Sequence, residues 1–357
     1  MEFGILFTSQ PNTDDEPYPH RDVHARVTRQ VLRADELGYD YAWLAEHHFS
    51  NEYGIMPDVF VYAGYLAGQT KRIKIGTAVV TLPLANPVRV VENAAFIDVL
   101  SGGRFVLGLG SGYREYEFDG FGIDFAGRRD IQEEALPLVM DLFLDKHTSH
   151  KGRNFRFKID GDFEIFPHAQ QRPHPPVFLA SATERSIKVA GQMGFGMLMS
   201  SFTPFGELAR QTALYRAALA ETPARLAANP ARGHCDVARF VYVAETDAKA
   251  RRESEAGLMR HFAHFASGHA SGYLGTVSED GRASRDYEGV TRDIVIHGSP
   301  ATVTAKIEEL REMTGIKSVM LHYPPWYGPE KTAASLELFA TEVAPKFRPP
   351  EPARKRA

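Results

Sequence analysis

The chain has 357 residues, 43% hydrophobic and 24% charged, with a formal net charge of −4. That balance offers polyanions no general attraction, so neither nucleic acid nor an acidic membrane surface is an expected partner. The single cysteine, Cys235, leaves no internal disulfide to form, and no paired-cysteine metal motif is present. No stretch approaches the roughly 20 apolar residues of a membrane span, and the opening Met-Glu-Phe-Gly turns polar too soon for a secretory signal; a cytoplasmic protein is expected.

Phe3 to Phe7 predicts a first strand, followed by a loop, Thr8 to Arg21, with three prolines. Val23, Val27, Val31, Ala34 and Leu37 recur at helical spacing and stop at Gly38. Tyr41 to Ala45 is a short apolar run, read as a second strand buried on both faces. A helix begins at Pro57, Arg72 to Thr81 predicts the third strand, and Pro87 to Leu100 the next helix. Arg104 to Leu109 predicts a fourth strand that runs into the glycine-rich stretch Gly108 to Gly112. After a helix over Ile131 to Phe143, a polar excursion from Lys146 to Pro176 alternates Phe155, Phe157 and Ile159, then Phe163 and Ile165, as a small outer hairpin would.

Val177 to Ala180 and Met197 to Ser200 predict strands five and six, with helices over Glu184 to Met193 and Phe205 to Ala220. Val237 to Ala244 predicts strand seven and Ala248 to Phe265 its helix. Ser267 to Val290 is polar and glycine-rich, and is read as a lid segment inserted before strand eight. Pro300 to Met313 is a helix capped by Ser299, Lys317 to His322 the eighth strand, and Lys331 to Val343 a closing helix. Eight strands alternating with helices predict a closed (β/α)8 TIM barrel in a single domain over residues 1–347, with a flexible tail over 348–357. The rival, an open doubly wound sheet, would more often carry a glycine-rich turn after its first strand, where this chain has Thr-Ser-Gln-Pro.

Chemistry in such barrels collects where strands end, and the second strand ends in Glu46, His47 and His48. Side chains alternate along extended backbone, so at most one of the two histidines faces the barrel mouth. His20 and His24 are four apart, but Arg21 stands where a zinc-protease helix would need its glutamate, and no metal site is expected. His322, Tyr323 and Trp326, around the end of strand eight, are read either as a substrate-pocket wall or as plain packing.

Three blocks, Glu46 to Phe49, Ile75 to Arg89 and Ser101 to Phe105, resemble in order and spacing the bacterial luciferase-like flavin monooxygenases. The resemblance runs from Met1 to about Phe347 and includes the Gly298-Ser299-Pro300 helix start. It implies a barrel that binds reduced FMN at the C-terminal ends of its strands. There the flavin reacts with O2 to a C4a-hydroperoxide, which oxidises a small organic substrate. It also implies a homodimer fed with reduced flavin by a separate flavin reductase.

By the same resemblance His47 is the active-site histidine, a group able to exchange protons near neutral pH. Glu46 either orients a histidine or forms a salt bridge on the rim. Ala78 and Val79 match a small-residue pair that carries a cis peptide under the flavin in relatives. Ser181, Ala182, Thr183 and Ser186, at a helix start, hold the phosphate or merely cap the helix. Met199 and Ser200 match positions beside the flavin ring, although barrel core serves equally for Met199. The chain departs from luciferase at Gly110, a cysteine in its α chain, and at Ser111, an arginine there; Gly110 and Ser111 are expected to bind the cofactor through exposed backbone N–H groups instead, and the missing arginine argues against a light-emitting enzyme. Two other readings remain: hydride transfer with deazaflavin F420, or a non-catalytic flavin-binding protein. The Glu-His-His-Phe block favours the monooxygenase.

Overall fold

The computed structural model describes residues 1–51, 53–267 and 286–348. Its main sheet is built from β1 (Glu2–Phe7), β2 (Tyr41–Leu44), β3 (Lys74–Thr77), β4 (Val80–Thr81) and β5 (Phe105–Gly110). After an outer hairpin of β6 (Thr148–Lys151) and β7 (Arg156–Ile159) come β8 (Val177–Ala180), β9 (Gly196–Met199), β10 (Cys235–Val243), β11 (Ile296–Gly298) and β12 (Ser318–His322). β1, β2, β3, β5, β8, β9, β10 and β12 pair in that order, all parallel, and β12 returns to β1. The ring is the closed (β/α)8 barrel that the alternating elements predict. Its strands read as unbroken apolar runs because helices cover their outer faces; all nine residues of β10 are buried.

Inside the ring, Tyr41, Trp43, Phe178, Leu198 and Met320 form one of the buried clusters. Trp43 is fully buried, and its indole explains a glycine on the neighbouring strand: a Cβ on Gly76 would stand 2.3 Å from the ring. Burial of a large apolar side chain of this kind stabilises by roughly 1.5–3 kcal/mol. The Ser101 to Phe105 block is a clamp at the opposite end from the strand termini that form the mouth. Arg104 donates to the carbonyls of Ala67, Thr70 and Ile73, tying the helix Val59–Ala67 to the strand that follows it.

Several expectations change in detail. The third strand is not continuous: β3 and β4 pair separately with β5, and the Ala78–Val79 peptide between them is cis. β7 pairs antiparallel with β6, whereas Phe163 and Ile165 lie outside the hairpin. A seven-residue helix, Glu115–Phe121, follows β5, and the next helix begins at Arg128 rather than Ile131. Most of the expected lid, residues 268–285, lies outside the described residues, as does the tail from 349 onward. In the part that is described, Tyr287–Asp293 is a helix that buries Tyr287 and Val290. No helix among the described residues is long and apolar enough to cross a membrane.

Candidate active site

A cavity of ≈ 260 Å³ opens at the C-terminal ends of the strands. Glu46 and His47 enter it just past β2, Ala78 and Val79 between β3 and β4, and Gly110 and Ser111 at the end of β5. Ser181, Ala182, Thr183 and Ser186 line it from beyond β8, and Met199 and Ser200 from the end of β9. The expected catalytic and cofactor-binding residues therefore all line one cavity. Tyr323 and Trp326 do not belong to it: Trp326 packs under the Arg260 guanidinium (4.8 Å) and against His261, and Tyr323 packs near Tyr327. Of the three residues around the end of β12, only His322 reaches the cavity.

The two histidines point to different surroundings, although β2 already ends at Leu44 and the consecutive Ala45, Glu46 and His47 all line the cavity, so strand alternation is not the cause. His47 lines the cavity, and its ring packs edge-on against Tyr53 with centroids 4.7 Å apart. His48 turns away, with its ring against Phe121 and its Nε2 3.3 Å from Glu46 Oε1. The partner of His47 is a residue that sequence reasoning did not single out. Glu117, on the helix Glu115–Phe121, places Oε1 3.1 Å from His47 Nδ1 and accepts the His48 N–H at 3.0 Å. Glu46 is thus the partner of His48, not of His47.

Burial pushes His47 below the ordinary histidine range, although the Glu117 hydrogen bond opposes it. Burial would raise Glu117, but the hydrogen bonds from His47 and from the His48 N–H, with Arg114 nearby, hold it below the usual carboxylate range. The consistent assignment is an anionic Glu117 that accepts from the Nδ1–H of a neutral imidazole. Such a ring carries its free lone pair on Nε2, where it can take up a proton. Burial raises the Glu46 carboxyl, and its bond to His48 only partly offsets that.

The wall opposite is made of small groups. Gly110 is required by Val79: a Cβ at Gly110 would stand 2.4 Å from Val79 Cγ2, so the cysteine of luciferase does not fit beside this valine. At one end the hydroxyls of Thr183 and Ser186 form a reciprocal cap on the helix Glu184–Gln192. Arg128, Arg129 and Arg185 also line the cavity, together with Glu133, and none of them was expected from sequence. Arg128 stacks 3.8 Å over Phe125, Arg185 pairs with Glu133 at 2.7 Å, and Arg129 is exposed. At the deep end His322, with Nδ1 3.2 Å from Ser201 Oγ, is kept neutral by burial, which takes it down to about 3. Among the described residues, no group of three histidine, cysteine or acidic side chains gathers to hold a metal.

A parallel barrel whose strand ends converge on a buried histidine–carboxylate pair and a cationic rim has the layout of an α/β-barrel enzyme site. The luciferase-like monooxygenase family model matches residues 1–317, and the chain belongs to that family. The alkanal monooxygenase α chain of Photorhabdus luminescens is 26% identical over 368 residues, covering 97% of each chain. Two solved structures show the same fold. One is the oxygenating constituent of 3,6-diketocamphane monooxygenase from Pseudomonas putida, a type II Baeyer–Villiger enzyme in complex with FMN. Its TM-score is 0.77 at 24% identity, over 98% of this chain and 99% of that one. The other is the coenzyme F420-dependent tetrahydromethanopterin reductase of Methanopyrus kandleri, with TM-score 0.69 at 20% identity, over 97% and 99%.

Proposed function

We propose that the protein is a cytoplasmic, two-component monooxygenase that uses reduced FMN and O2 to oxidise a small organic substrate. The observation that carries this reading is the His47–Glu117 pair facing a cavity whose other wall is built of small groups. The residues fit the cofactor. Ala78, Val79 and Gly110 leave a flat wall for a tricyclic ring, while Arg128, Arg185 and the Thr183–Ser186 helix start suit a phosphate. When bound, reduced flavin supplies the electrons with which O2 is activated. The chain's own part is to seat the ring, hold the phosphate, exclude water and exchange a proton at His47 Nε2. Glu117 fixes the tautomer that makes this possible.

A separate flavin reductase delivers the reduced cofactor in this reading. A homodimer fits an apolar face on two packed helices, where Val61 (72%), Tyr65 (56%), Phe96 (51%) and Leu100 (53%) are exposed. The similarity to an F420-dependent reductase keeps hydride transfer with F420 as the second reading.

Anaerobic titration with photoreduced FMN, followed by mixing with O2, separates the readings. Binding of reduced FMN, and a return of oxidised-flavin absorbance slower than that of free flavin, are expected. Tight binding of F420 with no such delay supports the second reading. Binding of oxidised FMN with no effect on the oxygen reaction supports a flavin-binding protein.

A further inference from the structure

We infer that Arg114 is a positioning residue of this site: it balances the charge of Glu117 inside the protein and so keeps His47 neutral and proton-accepting. The inference rests on the proposed role of His47 in proton exchange.

Arg114 is 3% exposed, and among the described residues no carboxylate lies within ion-pair distance of it. Its guanidinium is held instead by three tyrosines, 4.1 Å above the Tyr53 ring, 5.0 Å from Tyr113 and 6.0 Å from Tyr116. It donates to the Tyr116 hydroxyl at 3.1 Å and to the Tyr113 hydroxyl at 3.4 Å, and its Nε has no partner. A desolvated cation over an aromatic face is attracted by the ring quadrupole, which lessens the penalty of burying it but does not cancel its charge. The neighbouring anion is Glu117, three positions on and 2% exposed.

Counting the charges packed directly around the His47 ring bears on its state; Glu46, the other buried carboxyl of the cavity, is bound to His48 and is pushed toward its neutral form by burial. With His47 neutral, the buried Arg114 and Glu117 sum to zero. With His47 protonated, two cations face one carboxylate in a site with little water. The groups that face His47 are Glu117 and Arg114 around the start of the helix Glu115–Phe121, Tyr53, Tyr113 beyond β5, and its neighbour His48. In that set Arg114 carries the permanent positive charge, and Glu117 accepts the Nδ1–H without drawing a second proton onto the ring. Tyr53 and Tyr113 line the cavity themselves, so the cage that seats the guanidinium is also part of the site wall.

Histidine-selective nitrogen-15 NMR on the ligand-free protein tests this, with the His47 signal assigned by its loss in His47→Asn. Arg114→Gln is expected to raise the His47 titration midpoint by about one pH unit, the usual effect of one nearby charge. Arg114→Lys, which keeps the charge, is expected to leave it near the parent value. If Arg114→Gln leaves an uncompensated Glu117 and fails to fold, the double variant Arg114→Gln with Glu117→Gln restores charge balance. Its midpoint is then expected close to that of the parent, and well above that of Glu117→Gln alone. An unchanged midpoint in Arg114→Gln, or an equal shift in the lysine and glutamine variants, overturns the inference; so does a double variant titrating with Glu117→Gln. Because no flavin is present, these outcomes are independent of the flavin–oxygen assay, whose failure would instead remove the monooxygenase reading.

Discussion

Asp236 offers a sharp test of how this barrel tolerates a carboxyl in its interior. The side chain is fully buried on β10; Trp43 Nε1 donates to its Oδ2 at 2.9 Å, and Oδ1 has no hydrogen-bond partner. Loss of hydration pushes the carboxyl from 3.8 up to about 7, and the nearby Ser318 hydroxyl and the Trp43 donor offset only part of that. Between those two values the folded state holds a proton that the unfolded chain has released. The contribution is therefore most favourable below the unfolded value, falls as pH rises through the window, and levels off above about 7. About three pH units at 1.36 kcal/mol each make the full penalty about 4 kcal/mol, of which about 3 kcal/mol develops between pH 5 and pH 8. Asp236→Asn keeps the shape and an acceptor for Trp43 but removes the ionisation. Urea unfolding of both proteins at pH 5 and pH 8 isolates the effect, because other titrating groups cancel in the difference. The asparagine variant is expected to gain on the parent by a few kcal/mol as pH rises. Parallel stability curves would refute the reasoning and mean that the barrel interior solvates this carboxylate.

Three further predictions concern the site and its surroundings. His47→Asn is expected to keep the fold and lower turnover by about a hundredfold, with a smaller loss in His48→Asn; steady-state rates of the two variants check this. Replacing Arg128 and Arg185 together by glutamine should weaken FMN binding by about tenfold and leave riboflavin binding unchanged, as the loss of a charge-assisted phosphate contact would. Fluorescence quenching with the two flavins makes that comparison. Val61→Lys on the exposed apolar face should convert a dimer to a monomer in sedimentation velocity, and an unchanged species would remove that face from the interface.

The parts legible in sequence are those where geometry is local. A parallel strand buried on both faces is a short apolar run, and the residues just past it lie at the barrel mouth whatever the rest of the chain does. Glu46, His47, Gly110, Ser181 and Met199, at or just past strand ends, all follow from that rule; what separates His47 from His48 is the choice of partner, Glu117 for one ring and Glu46 for the other. Glu117 does not follow from it. It sits 70 residues from His47, on a helix of seven residues that is too short to show a hydrophobic period, and only the lateral pairing of β2, β3 and β5 brings the two together. Arg128 and Arg129 do not stand out in sequence because the apolar period of their helix starts at Ile131, about one turn after the helix itself. Trp326 shows the converse error: an aromatic residue near a strand end looks the same in sequence whether it faces a ligand or another helix. Here the helix Asp247–Ser267 places His261 and Arg260 against it, out of the cavity. A strand end thus says where a side chain is but not what it meets. The tautomer of His47 depends on the second of these, since its Nδ1 lies 3.1 Å from Glu117 Oε1. A search for such partners is better directed at short polar runs just past a strand, such as Tyr113-Arg114-Glu115-Tyr116-Glu117, than at the strand ends themselves.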